Sequence, residues 1–199
     1  MNIAIALTGS RLLFGPLFAA AFIRAMRPET VDLAWLWGAI ACVVAIEITD
    51  ALDGVMARSR GQVTDFGKIF DPICDSLSRQ TVLISFMVVG IIPLWMFLIF
   101  LYRDGLMSFV RVMCAASGTV VAARKSGKIK AIFQAIGIAL ALLIVLLRAY
   151  GVAGVPAEIA GRHPAFWILL FPALFTALSL FDYIIPNWRV FERAMRPKA

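Results

Sequence analysis

The chain has little of what marks a water-soluble domain. Only 16% of its 199 residues are charged, and 62% are hydrophobic, with a mean hydropathy of +0.91. So much apolar surface cannot be buried inside one soluble core, so the chain reads as a polytopic membrane protein. Cysteine is scarce too. Cys42, Cys74 and Cys114 are odd in number and all lie in apolar stretches, which excludes a disulfide framework and offers no zinc spacing. Cys74, beside Asp75, reads as a small buried packing group. The one histidine, His163, precedes Pro164, far along the chain from the acidic residues, and reads as a surface or interface residue rather than a catalytic one. No basic region precedes the first apolar run, so no cleaved signal is expected. No linker, low-complexity tract or internal repeat breaks the sequence, and one domain over 1–199 is expected. The net charge of +7 mostly flanks the apolar runs, as an anionic leaflet favours. Little chain remains for a basic face outside the membrane, which argues against a nucleic-acid partner.

Against this apolar background, four carboxylates stand out: Asp50, Asp53, Asp71 and Asp75. An ionised carboxylate in hydrocarbon costs at least a few kcal/mol, so an intramembrane aspartate marks a functional site by default. Asp50 and Asp53 are three apart and share one helix face. Asp71 and Asp75 are four apart and share a face of the next helix. Packing the two faces together makes an all-oxygen cluster whose charges repel unless neutralised. A hard divalent cation does this best, and oxygen ligands suit magnesium, manganese or calcium. The bland alternative is four buried acids neutralised by Arg58 or Lys68. Gly54 costs helix stability and is best read as letting a ligand approach the backbone. Ala57 lies one turn on, Gly67 allows close contact at the start of the next helix, and Arg58 supplies a fork suited to phosphate.

These residues form the pattern D-x2-D-G-x2-A-R-x8-G-x3-D-x3-D, with eight specified positions over 26 residues. The pattern resembles the signature of the CDP-alcohol phosphatidyltransferase family, with every fixed position present at the family spacing. Weaker likenesses lie outside it, in Asn2-Ile, Leu7-Thr8, Arg11, Pro16-Leu-Phe, Arg103-x7-Arg111, Gly127-Lys128-Ile-Lys130-Ala131-Ile-Phe-Gln134 and Ser179-Leu-Phe-Asp182-Tyr183. They are similar to stretches of the branch that makes phosphatidylglycerophosphate. Departures from that branch are Ser76 after Asp75 in place of lysine, Ala131 in place of threonine, and Ala4-Ile5 in place of Pro-Asn. These leave the reaction class alone and bear on the acceptor alcohol.

The resemblance implies a membrane transferase that uses CDP-diacylglycerol. Asp50, Asp53, Asp71 and Asp75 would hold two divalent ions, magnesium first and manganese as an alternative. Asp75 would also serve as general base. Gly54, Ala57, Arg58 and Gly67 would bind the CDP-lipid. The expected acceptor is glycerol 3-phosphate, with inositol 1-phosphate or another small alcohol next, and a homodimer is implied. A reading from another class is a cation-coupled transporter that uses the acids as an ion path. No inverted repeat supports it, and Gly54, Ala57 and Arg58 have no role in it.

The expected fold is all-α, a bundle of six transmembrane helices over about 3–24, 33–57, 67–89, 94–122, 131–149 and 164–186. The start of the first, less apolar than its end, reads as an interfacial segment that turns inward near Pro16. Gly90 to Pro93 reads as a turn that splits one uncharged stretch into two half-spans. Residues 59–66, 124–130 and 151–163 read as connections. With six spans, twelve cations fall on the side of the termini: Arg11, Arg58, Arg60, Lys68, those of 124–130 and those of the tail. Arg24, Arg27, Arg148 and Arg162 fall opposite. The bias predicts that both termini and the carboxylate site are cytoplasmic. Trp35, Trp37, Trp95 and Trp167 begin helices on the outer face, as an aromatic belt predicts. Arg103 and Arg111, two turns apart within the fourth helix, need anionic partners. Either Asp104 or the acid cluster neutralises them, or they hold the acceptor phosphate, with Lys128 and Lys130 at the mouth of the same cavity. The phosphate reading is the one favoured here. Asp182, near a membrane end, reads as structural, pairing with Arg189 or Arg11.

Overall fold

The structure is a computed structural model and describes residues 3–27, 30–59, 65–116 and 125–195. Among the described residues there are six helices and no strand. They are α1 (Ile3–Met26), α2 (Leu33–Ser59), α3 (Asp65–Val88), α4 (Leu94–Ala116), α5 (Lys125–Ala149) and α6 (Pro164–Met195). Stretches of three helices are long and apolar enough to cross a bilayer: Ile5–Met26, Leu33–Asp53 and Ile129–Ala149. In α3 and α4 the hydropathy is lowered by charged residues, of which Asp71, Asp75, Arg79, Arg103 and Asp104 form ion pairs within the bundle. The all-α membrane bundle expected from the sequence is what is found.

α1 packs on α2 and α3, α5 packs on α6, and α4 joins the two groups through α3 and α6. The core of the first group is aromatic. Phe18 stacks on Phe22 with ring centroids 5.3 Å apart, and the edge of Phe86 closes on both. These rings are fully buried. In the second group, Phe133 sets its ring edge-on to Phe171 and Phe175. Gly137 lets the two helices meet there: a Cβ at this position would come within 3.1 Å of the Pro172 ring.

The helix ends follow local chemistry. Asp32 caps α2, its Oδ1 accepting from the Ala34 and Trp35 amides at 3.0 and 3.3 Å. α3 stops in a turn where Gly90, at φ 79°, donates to the Met87 carbonyl and Ile91 donates to that of Phe86. Only glycine takes this left-handed position at no steric cost, so the turn expected at Gly90 is present. His163 caps α6: its Nδ1 accepts from the Ala165 amide at 3.2 Å, with Pro164 in the first helical position. Trp37 and Trp167 are half-exposed, and their indole N–H groups reach Tyr150 Oη and the Ile159 carbonyl. An apolar ring with one satisfied donor suits a membrane boundary.

Some boundaries differ from the sequence reading. α1 runs unbroken through Pro16 to Met26, and α2 runs on to Ser59. The basic stretch expected as a loop over 124–130 is helical from Lys125, because Lys130 is drawn into the bundle, where it finds an anionic partner. α3 starts at Asp65, so Gly67 lies inside its first turn. α6 does not stop near Pro186 but continues to Met195; a proline removes one backbone donor without having to end the helix. The expected end of the fourth helix, over 117–122, lies outside the described residues, as does most of the 59–66 connection.

Candidate active site

The two acidic pairs come from α2 and α3, and they meet as the spacing predicts. What lies between them comes from α1. The Arg11 side chain is fully buried, and its guanidinium touches all four carboxylates. Nη1 donates to Asp50 Oδ1 at 2.9 Å and contacts Asp75 Oδ1. Nη2 donates to Asp71 Oδ1 at 2.9 Å and contacts Asp53 Oδ2. Thr8, one turn before Arg11, places its hydroxyl oxygen 2.7 Å from Asp71 Oδ1 and 2.9 Å from Asp53 Oδ2. The Ser78 hydroxyl lies 3.3 Å from the Arg11 carbonyl, tying the α1 backbone to α3. Asp53 is buried, whereas Asp50, Asp71 and Asp75 each leave part of the carboxylate exposed. The cluster is therefore sealed at Asp53 and open on the other side. Cys74 is buried behind it as a free thiol.

Arg11 and Thr8 were missed as site residues in the sequence reading, where Arg11 counted as a cation flanking a helix. The signal was present. Arg11 is the only charge in the first twenty residues of α1, and Thr8 is three before it on the same face. An isolated charge inside an apolar helix needs a partner, and the four acids are that partner. Arg11 is thus a neutralising cation that the sequence reading did not name, while the side chains of Arg58 and Lys68 lie outside the described residues. The side chain of Asp182, expected to pair with Arg189 or Arg11, lies outside the described residues.

A second buried charged cluster lies next along α3. Arg79 comes to 3.9 Å from Asp75 Oδ2, and the following residue, Gln80, donates to Asp104 Oδ2 on α4 at 3.2 Å. Asp104 Oδ1 accepts from Lys130 Nζ at 2.6 Å and from Arg103 Nη1 at 3.0 Å. Arg103 Nε donates to Ser179 on α6 at 3.3 Å. Arg103, Asp104 and Lys130 are all more than nine-tenths buried. So two of the four residues expected at an acceptor phosphate meet at one carboxylate, which among the described residues leaves an excess of one positive charge. The pairing is the one named above as the alternative to a phosphate. The side chains of Arg111 and Lys128 lie outside the described residues, although their backbones are in α4 and α5. The same is true of Gly54, Ala57 and Arg58 at the end of α2, whereas Gly67 is half-buried in the first turn of α3.

The donor set suits a hard divalent ion, since four carboxylates from two helices surround a cation in a pocket open on one side. Among the described residues no three carboxylates converge on a common point for a metal, because the Arg11 fork stands between them.

Comparison with known proteins agrees with this geometry. The chain matches the CDP-alcohol phosphatidyltransferase family over residues 1–184. It is 33% identical over 167 residues to the CDP-diacylglycerol–glycerol-3-phosphate 3-phosphatidyltransferase of Bacillus subtilis (strain 168), covering 82% of this chain and 80% of the relative. The protein of that name from Treponema pallidum (strain Nichols) is 31% identical over 148 residues, 74% of this chain and 68% of the relative. The one from Rickettsia felis is 32% identical over 175 residues, 88% and 91%. A match over nearly the whole length that takes in all four carboxylates has one reading: this chain belongs to the CDP-alcohol phosphatidyltransferase family.

Proposed function

We propose that the chain is a membrane transferase of phospholipid biosynthesis that moves the phosphatidyl group of CDP-diacylglycerol to glycerol 3-phosphate, releasing CMP. The four-carboxylate cluster carries this reading, together with relatives that bear the name of that reaction over most of their length. The family membership leaves the cation-transporter reading without support.

In this reading Asp50, Asp53, Asp71 and Asp75 hold two divalent ions, magnesium or manganese. Bound there, such ions neutralise the pyrophosphate and stabilise CMP as leaving group. Gly54, Ala57 and Gly67 offer small surfaces against the cytidine, and Arg58 a fork for phosphate. Asp75 takes the proton from the acceptor hydroxyl. The freed oxygen attacks the β-phosphorus in line, a new P–O bond forms, and the P–O bond to CMP breaks. Asp75 suits this role because its carboxylate is partly exposed and the next turn of α3 leads through Arg79 and Gln80 to Asp104. Arg103 and Lys130, with Arg111 and Lys128, would bind the acceptor phosphate there.

The excess of Lys and Arg at one end of the bundle supports a cytoplasmic site and cytoplasmic termini. A homodimer, implied by the family resemblance, can be checked by mass measurement in detergent. The deciding test is CMP release from CDP-diacylglycerol by purified protein offered glycerol 3-phosphate, inositol 1-phosphate, inositol or serine. Release with glycerol 3-phosphate is expected. Preference for another alcohol overturns the acceptor, and no CMP with any of them overturns the reaction class.

A further inference from the structure

Arg11 occupies the centre of the carboxylate cage rather than its rim. Each terminal nitrogen is shared by two acids, Nη1 by Asp50 and Asp75, Nη2 by Asp53 and Asp71. The four oxygens directed at it belong to the residues proposed above as metal ligands. A carboxylate oxygen turned onto a guanidinium is not free for a metal that demands short contacts in fixed directions. Among the described residues, one positive charge also leaves four acids undercompensated, even with Arg79 3.9 Å from Asp75. The fit of Arg11 is itself incomplete, because its buried Nε has no hydrogen-bond partner among the described residues.

We infer that Arg11 is a resident counter-cation that competes with divalent metal for the cage and is displaced when metal binds. This rests on the metal reading given above. The backbone allows such an exchange. The Ser78 contact to the Arg11 carbonyl can hold α1 in place while the long side chain leaves. The way out is toward the open side, where Asp50, Asp71 and Asp75 are partly exposed. The cost of displacing Arg11 lowers the apparent metal affinity of the wild type, as for any ligand that must compete with a closed form of its site.

The test is calorimetric titration of Mn2+ into full-length protein in detergent, for the wild type, Arg11→Gln and Arg11→Lys. Without the competitor, Arg11→Gln should bind Mn2+ about tenfold tighter or more. Arg11→Lys, which keeps one charge but cannot span four acids, should fall between. If Arg11 is instead a permanent brace for the carboxylates, Arg11→Gln binds Mn2+ more weakly than wild type, and the exchange is refuted. Equal affinity refutes it too. If the wild type binds no Mn2+, the metal reading fails and the exchange goes with it. Should Arg11→Gln fail to fold, phenylglyoxal modification of the wild type, located by mass spectrometry, decides the matter. Arg11 should be protected without metal and reactive with Mn2+; protection in both conditions overturns the proposal.

Discussion

Among the described residues Asp104 is the single anion in the second buried cluster, and replacing it by asparagine removes a charge without changing shape. In the wild type it accepts from Lys130 at 2.6 Å, Arg103 at 3.0 Å and Gln80 at 3.2 Å. All three charged residues are buried, so solvent screens these contacts little. An asparagine keeps one oxygen acceptor, but two charge-assisted bonds become weaker ones, and two cations are left without a counter-charge among the described residues. Unpairing a buried ion pair costs about 3–5 kcal/mol, and the retained acceptor brings this to about 3 kcal/mol for Asp104→Asn. For a chain of this size that is a fall of roughly 6–12 °C in melting temperature, measurable by scanning fluorimetry in detergent. The same experiment reads the acceptor site. If Arg103 and Lys130 face the acceptor phosphate, glycerol 3-phosphate should restore more melting temperature to Asp104→Asn than it adds to the wild type. A fall of under a degree would refute the charge argument. A full fall with no extra rescue by glycerol 3-phosphate would refute the phosphate site and leave the cluster a structural brace.

The four carboxylates should not respond alike. Asp71→Asn should weaken Mn2+ binding by more than the ~10–100-fold that loss of an outer-shell partner costs. Asp75→Asn should lower kcat by about 10²–10⁴-fold while CDP-diacylglycerol still binds, and near-normal turnover would exclude it as the base. Burial, with Arg148 nearby, pushes the His163 imidazole down to about 4 from its ordinary 6.5. As pH falls below 6.5 the unfolded chain therefore takes up the proton first. Stability is full above 6.5 and declines as pH falls towards 4. His163→Asn keeps an acceptor at the cap and should flatten that slope; an unchanged slope would assign it to another group. On a cysteine-free background, Ser126→Cys should label from the cytoplasm and Ala157→Cys from outside, since they lie beyond opposite ends of the apolar part of α5. Labelling from the same side would end the six-span topology.

What could be read in the sequence depended on how far apart the interacting residues lie along the chain. The acid pairs are three and four residues apart, so helical geometry alone gave their shared faces. The turn at Gly90 follows from one residue's backbone freedom. The partner of the acids was harder to read, because Arg11 is 39 to 64 residues from them; its isolation in α1 marks it as needing an anion but does not say which one. Asp104 was seen as a candidate for neutralising Arg103, but Lys130 and Gln80 reach it from other helices. The start of α5 was misplaced for the same reason. A lysine-rich stretch with a glycine looks like a loop until the contact that draws Lys130 inward is known. Pro186 looked like a stop signal because a local rule was applied where the helix tolerates one missing donor.

The tie between Arg11 and the acids also bears on how the chain is made. Arg11 leaves the ribosome first, and its farthest partner, Asp75, follows 64 residues later. At about 5–20 residues per second the delay is roughly 3–13 s. For the first 39 of those residues α1 carries an unmatched cation, near enough to its end to reach the headgroups. α2 brings Asp50 and Asp53, and only α3 completes the set. The cage therefore closes only once the first three helices have all been made.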